Sequence, residues 1–206
     1  MGGFLFVFIV RYDKIKHMEQ VIQEILNDIQ EIFKNAVGPN NRREYMQSIG
    51  ASSRDWHFGL TPEQIISDKI PARVVGCTGI AKLCCKLAAD RGIKAFVVCT
   101  AKYDDWMAAR QDSNKTINNG HQLNAIEIDG VLRVFDAGCR RVHFIETSLK
   151  PGSFIDALQK GTQDYMLTAV VPGDEFLHMD TYQKLFNLYT SGDMNNPEFT
   201  ITPESI

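Results

Sequence analysis

Long apolar runs are missing from this chain. The stretch near its N-terminus, residues 4–10, is seven residues long, whereas a membrane-spanning helix needs about 20. It lacks the basic start and small-residue cleavage site of a secretory signal. Phe6 stands where N-myristoylation wants Ser or Thr. The stretch therefore reads as a buried strand or a helix start, and no stable membrane insertion is expected. An excess of basic charge is missing too. Lys and Arg number 22 against 25 Asp and Glu, a net charge of -3, so no basic face is offered to nucleic acid. None of the five cysteines (Cys77, Cys84, Cys85, Cys99, Cys139) pairs with another at CxxC spacing, which argues against a structural zinc site. Their odd number and irregular spacing argue against a disulfide framework. Reduced thiols fit the cytoplasm, or export into a reducing compartment. Internal repeats and low-complexity tracts are also lacking.

What is present is globular. Apolar residues make up 44% and charged residues 23% of 206 residues, which excludes wholesale disorder and suits one domain better than two. Residues 1–60 read as a mainly helical N-terminal part, 61–140 hold the chemistry-bearing motifs, and 141–206 form a C-terminal part. In residues 13–34, Met18, Val21, Ile22, Ile25, Ile29, Ile32 and Phe33 recur at steps of three and four, a helical stripe. Residues 35–43, with Gly38 and Pro39, read as a loop, and 44–58 are ambiguous. Thr61-Pro62-Glu63 opens a short helix that ends before Pro71. A stronger helix spans 77–91, with Ile80, Leu83, Cys84, Leu87 and Ala88 on its apolar stripe and Gly92 as its stop.

Residues 93–100 are β-branched and aromatic, hence a strand. Residues 102–119, polar apart from Trp106 and Met107, read as a long functional loop. Strands at 121–128 and 131–135 flank Asp129-Gly130, a two-residue hairpin signal. Another strand is expected at 165–171, then a helix after Pro172 carrying Phe176, Tyr182, Leu185, Phe186 and Tyr189. Helices first and a small antiparallel sheet afterwards make an α+β fold.

Cys77 follows Gly76 and begins a helix. There the macrodipole and unsatisfied N–H groups favour the thiolate, the nucleophilic form, and can receive an oxyanion. By itself such a residue reads equally as a small buried cysteine. The hairpin adds partners. With a turn at Asp129-Gly130, Ile128 faces Val131 and Leu123 faces Asp136, so His121 and Asp136 are diagonal neighbours within reach of a hydrogen bond. Leu123, Ala125, Leu132 and Val134 share that face and predict that it packs on the Cys77 helix. A buried carboxylate beside an imidazole fixes its tautomer and stabilises the imidazolium.

Two stretches carry a family resemblance. Gly76-Cys77-Thr78-Gly79-Ile80-Ala81, continuing to Arg91-Gly92-Ile93-Lys94-Ala95, is similar to the Gly–Cys helix start, the Ala four residues after the Cys and the Gly-Ile-Pro-Ala ending of the transglutaminase-like superfamily. Lys94 replaces the Pro. Gly120-His121, then a strand, Asp129-Gly130, a second strand and Phe135-Asp136, resembles that family's His and Asp segments. Leu123 stands where an aromatic is usual and Ala137 where Pro is common. The resemblance covers residues 61–140 and implies a papain-like core with Cys77 as nucleophile, His121 as base and Asp136 as orienter.

Other residues carry less. Cys84 and Cys99 read as core and Cys85 as a surface thiol. Cys139 and His143 have helical metal-ligand spacing where no helix is signalled, so no metal site is expected. Trp56 and Gln64 are the upstream candidates for a second oxyanion donor: no spacing rule supports Trp56, and Gln64, the nearest upstream Gln, lies thirteen residues before Cys77. Trp106 either lines an acyl-substrate groove or packs on the core as a lid. The expected activity is acyl transfer on a peptide or carboxamide bond without metal or organic cofactor. The partner is a protein or peptide substrate and the outcome is hydrolysis. The alternatives are protein-glutamine transamidation and a non-catalytic binding or scaffold module on the same fold.

Overall fold

The computed structural model describes residues 3–53, 55–112, 114–128, 131–138, 144–145, 154–157 and 162–191. The chain is α+β. Five helices come first: α1 (Gly3–Lys34), α2 (Arg42–Ser48), α3 (Trp56–Gly59), α4 (Pro62–Ser67) and α5 (Ala72–Ala89). Then follow β1 (Lys94–Lys102), α6 (Tyr103–Gln111), β2 (Gly120–Ile128), β3 (Val131–Phe135), β4 (Phe144–Ile145), β5 (Phe154–Ala157), β6 (Thr162–Pro172), α7 (Gly173–Phe176) and α8 (Tyr182–Ser191). Among the described residues no helix is long and apolar enough to cross a membrane.

The helical stripe of α1 is real packing. Met18, Ile22, Ile25, Leu26 and Ile29 are buried in the main core, against which Val21, Ile32 and Phe33 also pack. Thr61 caps α4 in a reciprocal capping box with Gln64, with Pro62 in the first turn. This helix docks on α5, the central helix, which also touches α1, β1 and β2. Gly92, at φ 68°, ends the turn after α5.

The described strands form one sheet, ordered β4-β3-β2-β1-β6-β5, with every described pairing antiparallel. The β2–β3 ladder runs from Ile128 opposite Val131 to Asn124 opposite Phe135. Asp129 and Gly130 themselves lie outside the described residues. β1 is buried along nearly its whole length, as expected of a strand covered on both faces. On one face Val97, Cys99, Ala101, Ile126 and Phe135 join the helices in the main core. On the other, Phe96, Val98, Leu123, Ala125, Leu132 and Val134 belong to a second apolar cluster.

Three expectations are corrected. Residues 103–111 form helix α6 instead of loop. Trp106 supplies its buried anchor, with Nε1 donating to the Tyr189 carbonyl at 3.1 Å, so it packs on the core. The face bearing Leu123, Ala125, Leu132 and Val134 turns away from α5, which meets β2 through Gln122 and Asn124. Cys85 is buried, and its Sγ lies 3.7 Å from Asn124 Nδ2.

Candidate functional site

Helix α5 begins five residues before Cys77, but it is broken. Gly76 has φ 70° and ψ -176°, a non-helical geometry inside the helix that is essentially confined to glycine. The chain makes one turn, breaks at Gly76, and restarts at Cys77. The thiol thus stands at a true helix start, as the Gly76-Cys77 pair suggests, and the break before it was not legible.

The structure brings Cys77, His121 and Asp136 together. His121 Nε2 lies 2.8 Å from Asp136 Oδ2. The two residues are 3% and 1% exposed. Asp136 is fixed on its other oxygen, where Oδ1 accepts the Gly138 N–H at 2.8 Å. Both residues lie past the last β2–β3 rung, Asn124 opposite Phe135. His121 is still held in the sheet by β1, where it pairs with Thr100, and its contact with Cys77 ties this end of β2 to the restart of α5. With Nε2 engaged by Asp136, Nδ1 is the ring nitrogen left for the thiol.

The electrostatics follow from these contacts. Burial pushes the Cys77 thiol up. The His121 hydrogen bond and charge, with the Gln122 and Thr78 backbones, outweigh it, and the thiol falls below its ordinary value. Burial likewise pushes His121 down, but its bonds to Asp136 and Cys77 raise it to about 9. Both shifts favour the thiolate–imidazolium form of the pair. The other described thiols behave oppositely: burial raises Cys84 and Cys99 and carries Cys85 to about 12.

Cys77 opens on a cavity of about 180 Å³. Below it, the Gln122 side chain accepts from Thr78 Oγ1 at 3.2 Å and donates to the Tyr189 hydroxyl. Gly120 lets that tyrosine approach, since a Cβ there would lie 2.6 Å from its hydroxyl oxygen. Tyr182 forms another wall: its hydroxyl accepts the Ile117 N–H at 2.9 Å, its own N–H donates to Asp55 at 2.9 Å, and its ring meets Phe58. The Phe58 wall is tied down by Lys82, which is 1% exposed and donates to the Phe58 carbonyl at 2.7 Å. Burial lowers this ammonium to about 8.

Two residues at the site escaped sequence reasoning. Arg42, placed in a loop by the neighbouring Gly38 and Pro39, heads α2 behind the Asn41 cap and lines the cavity. Gln122 carried no signal beyond its place beside His121. Of the proposed oxyanion donors, Gln64 accepts from the Thr61 N–H through Oε1 in the cap and does not line the cavity, and Trp56 stacks on Tyr45 instead of lining it. Cys139 and His143 lie outside the described residues. Among those described, no cluster of three or more His, Cys, Asp or Glu is arranged to hold a metal ion. Comparison with protein-family models, curated proteins and solved structures found no match to this chain.

Proposed function

We propose that this chain carries out cysteine-dependent acyl transfer on a peptide or carboxamide bond, normally hydrolysis, on a papain-like, transglutaminase-like core. The observation that carries this reading is the hydrogen-bonded series from the Cys77 thiol through His121 to the buried Asp136.

In this reading the Cys77 thiolate attacks the substrate carbonyl. The carbonyl π electrons move onto oxygen, and the helix restart after Gly76 presents its positive N-terminal end to that oxyanion. As the tetrahedral adduct collapses, the C–N bond breaks and the His121 imidazolium gives its proton to the departing amine or ammonia. An acyl-enzyme on Cys77 remains beside neutral His121. Water attacks it while His121 takes one of the water's protons, and collapse returns the thiolate, the imidazolium and a free acid. Asp136 holds the ring and stabilises its charged form at both protonated stages. The cavity wall at the thiol includes Thr78, Gln122 and Asn118. Such polar lining supports water as acceptor, because transamidation needs water kept out. A working thiolate also fits the cytoplasm or another reducing compartment.

The test is a panel of peptides, glutamine donors and glycopeptides, read by amine release and by intact mass for an acyl adduct on Cys77. Hydrolysis with a trapped adduct is expected, and Cys77→Ala, shown to be folded by a thermal melt, should have no turnover. Turnover that survives in folded Cys77→Ala would remove Cys77 as the nucleophile, and a wild type that turns over no member of the panel and forms no adduct would leave the scaffold reading in its place.

A further inference from the structure

The cavity holds a cation that the acyl-transfer chemistry does not use. Arg42 Nε donates to the Val74 carbonyl at 3.0 Å, which orients the guanidinium and leaves its outer edge uncommitted. Nη2 lies over the break in α5, where a Cβ on Gly76 would sit 2.5 Å from it. Arg42 therefore stands over the residue adjoining Cys77. Burial pulls its pKa below the ordinary value, and negative charge on Cys77 works in the opposite direction. Among the described residues no carboxylate pairs with Arg42, and none of the described residues lining the cavity is acidic. In a chain of net charge -3, a part-buried arginine kept clear of carboxylates beside a nucleophile is a vacant half of an ion pair.

We propose that Arg42 docks a substrate carboxylate beside the Cys77 thiol, so that the acyl donor carries a free carboxylate next to the bond it breaks. This rests on the acyl-transfer reading and narrows its substrate class. A guanidinium edge matches the two oxygens of a planar carboxylate, and partial desolvation strengthens the pair. The cavity, at about 180 Å³, is smaller than the roughly 300–1,000 Å³ that encloses whole ligands. It takes one side chain or one chain end, and Arg42 selects which.

The experiment compares alkylation of Cys77 by iodoacetate, which bears a carboxylate, with alkylation by iodoacetamide, which does not. Both reagents meet the same thiolate, so any effect of Arg42 on thiol acidity cancels in their ratio. In the wild type the iodoacetate rate should saturate with concentration. The iodoacetate-to-iodoacetamide ratio should fall about tenfold in Arg42→Gln, the size expected for one charge-assisted contact. A second measurement needs no variant. N-acetylglycine, with a terminal carboxylate, and N-acetylaspartate amide, with a side-chain one, are tested as protectants of Cys77 against iodoacetamide. Each is compared with its uncharged amide. Protection by either acid over its amide supports the proposal and identifies which carboxylate is read. An unchanged ratio, or protection no better than the amides give, overturns it while leaving the nucleophile intact. Slow labelling of Cys77 by both reagents overturns the nucleophile, and this proposal with it.

Discussion

His121 Nε2 and Asp136 Oδ2 meet at 2.8 Å, both sealed from solvent, at the open end of a ladder whose last rung is Asn124 opposite Phe135. An unpartnered carboxylate so deeply buried would be costly. The bond to the imidazole, together with the Gly138 N–H, is what makes Asp136 tolerable there, and it in turn raises His121.

Asp136→Asn should therefore act on the alkaline limb of turnover. In the wild type, activity should fall as His121 loses its proton near pH 9. Asp136 raises that value, so its neutralisation should move the limb to lower pH. The loss in kcat should be smaller than the roughly 10⁴-fold seen for the same change in a serine triad, because a thiol of lowered pKa depends less on its base than a serine hydroxyl does. A pH–rate profile decides, and a limb that stays in place contradicts the assigned role.

Gly76→Ala should cost stability and displace the thiol together. The backbone at φ 70°, ψ -176° suits glycine, and another residue held there costs about 2 kcal/mol, or about 6 °C in Tm for a chain of this length. Arg42 can swing its guanidinium away, so the backbone dominates the cost. A thermal melt checks the first part, and loss of preferential Cys77 alkylation checks the second. A variant as stable and selective as the wild type would show that the break does not matter.

Lys82 makes stability depend on pH with a defined sign. Its native value is about 8, set by burial, against an ordinary 10.5. Between those values the unfolded chain holds a proton that the folded chain has released. The Lys82 contribution to stability therefore rises with pH through this window and is least favourable below pH 8. The Tm of the wild type minus that of Lys82→Met should increase from pH 7 to pH 10. A difference that stays flat would mean that the buried ammonium does not titrate there.

Much of this was legible where signals are local. The stripe from Met18 to Ile29, the Thr61 cap and the limits of β3 depend on neighbours in the chain. So does the register that sets Ile128 opposite Val131, and with it the meeting of His121 and Asp136. What escaped depends on distant contacts. α6 reads as a loop because its sequence is mostly polar. It is anchored from outside, by Trp106 on the Tyr189 carbonyl and by Asp105, which accepts N–H bonds from Asn118 and Asn119. Arg42 lies among turn-forming residues, and only its bond to Val74 brings it to the cavity. Cys85 is off the helical stripe yet buried, since β2 and α7 cover it from another side, where Gly173 permits close approach.

The most direct test of the central claim is the pH dependence of Cys77 alkylation by iodoacetamide, followed site by site by mass spectrometry. Cys77 should label ahead of Cys84, Cys85 and Cys99, with a midpoint below the roughly 8.5 of an ordinary thiol. His121→Ala should move that midpoint upward, because it removes the largest opposing contribution to burial. A wild-type midpoint at or above the ordinary value, or one unmoved by His121→Ala, would contradict the thiolate–imidazolium pair on which the account depends.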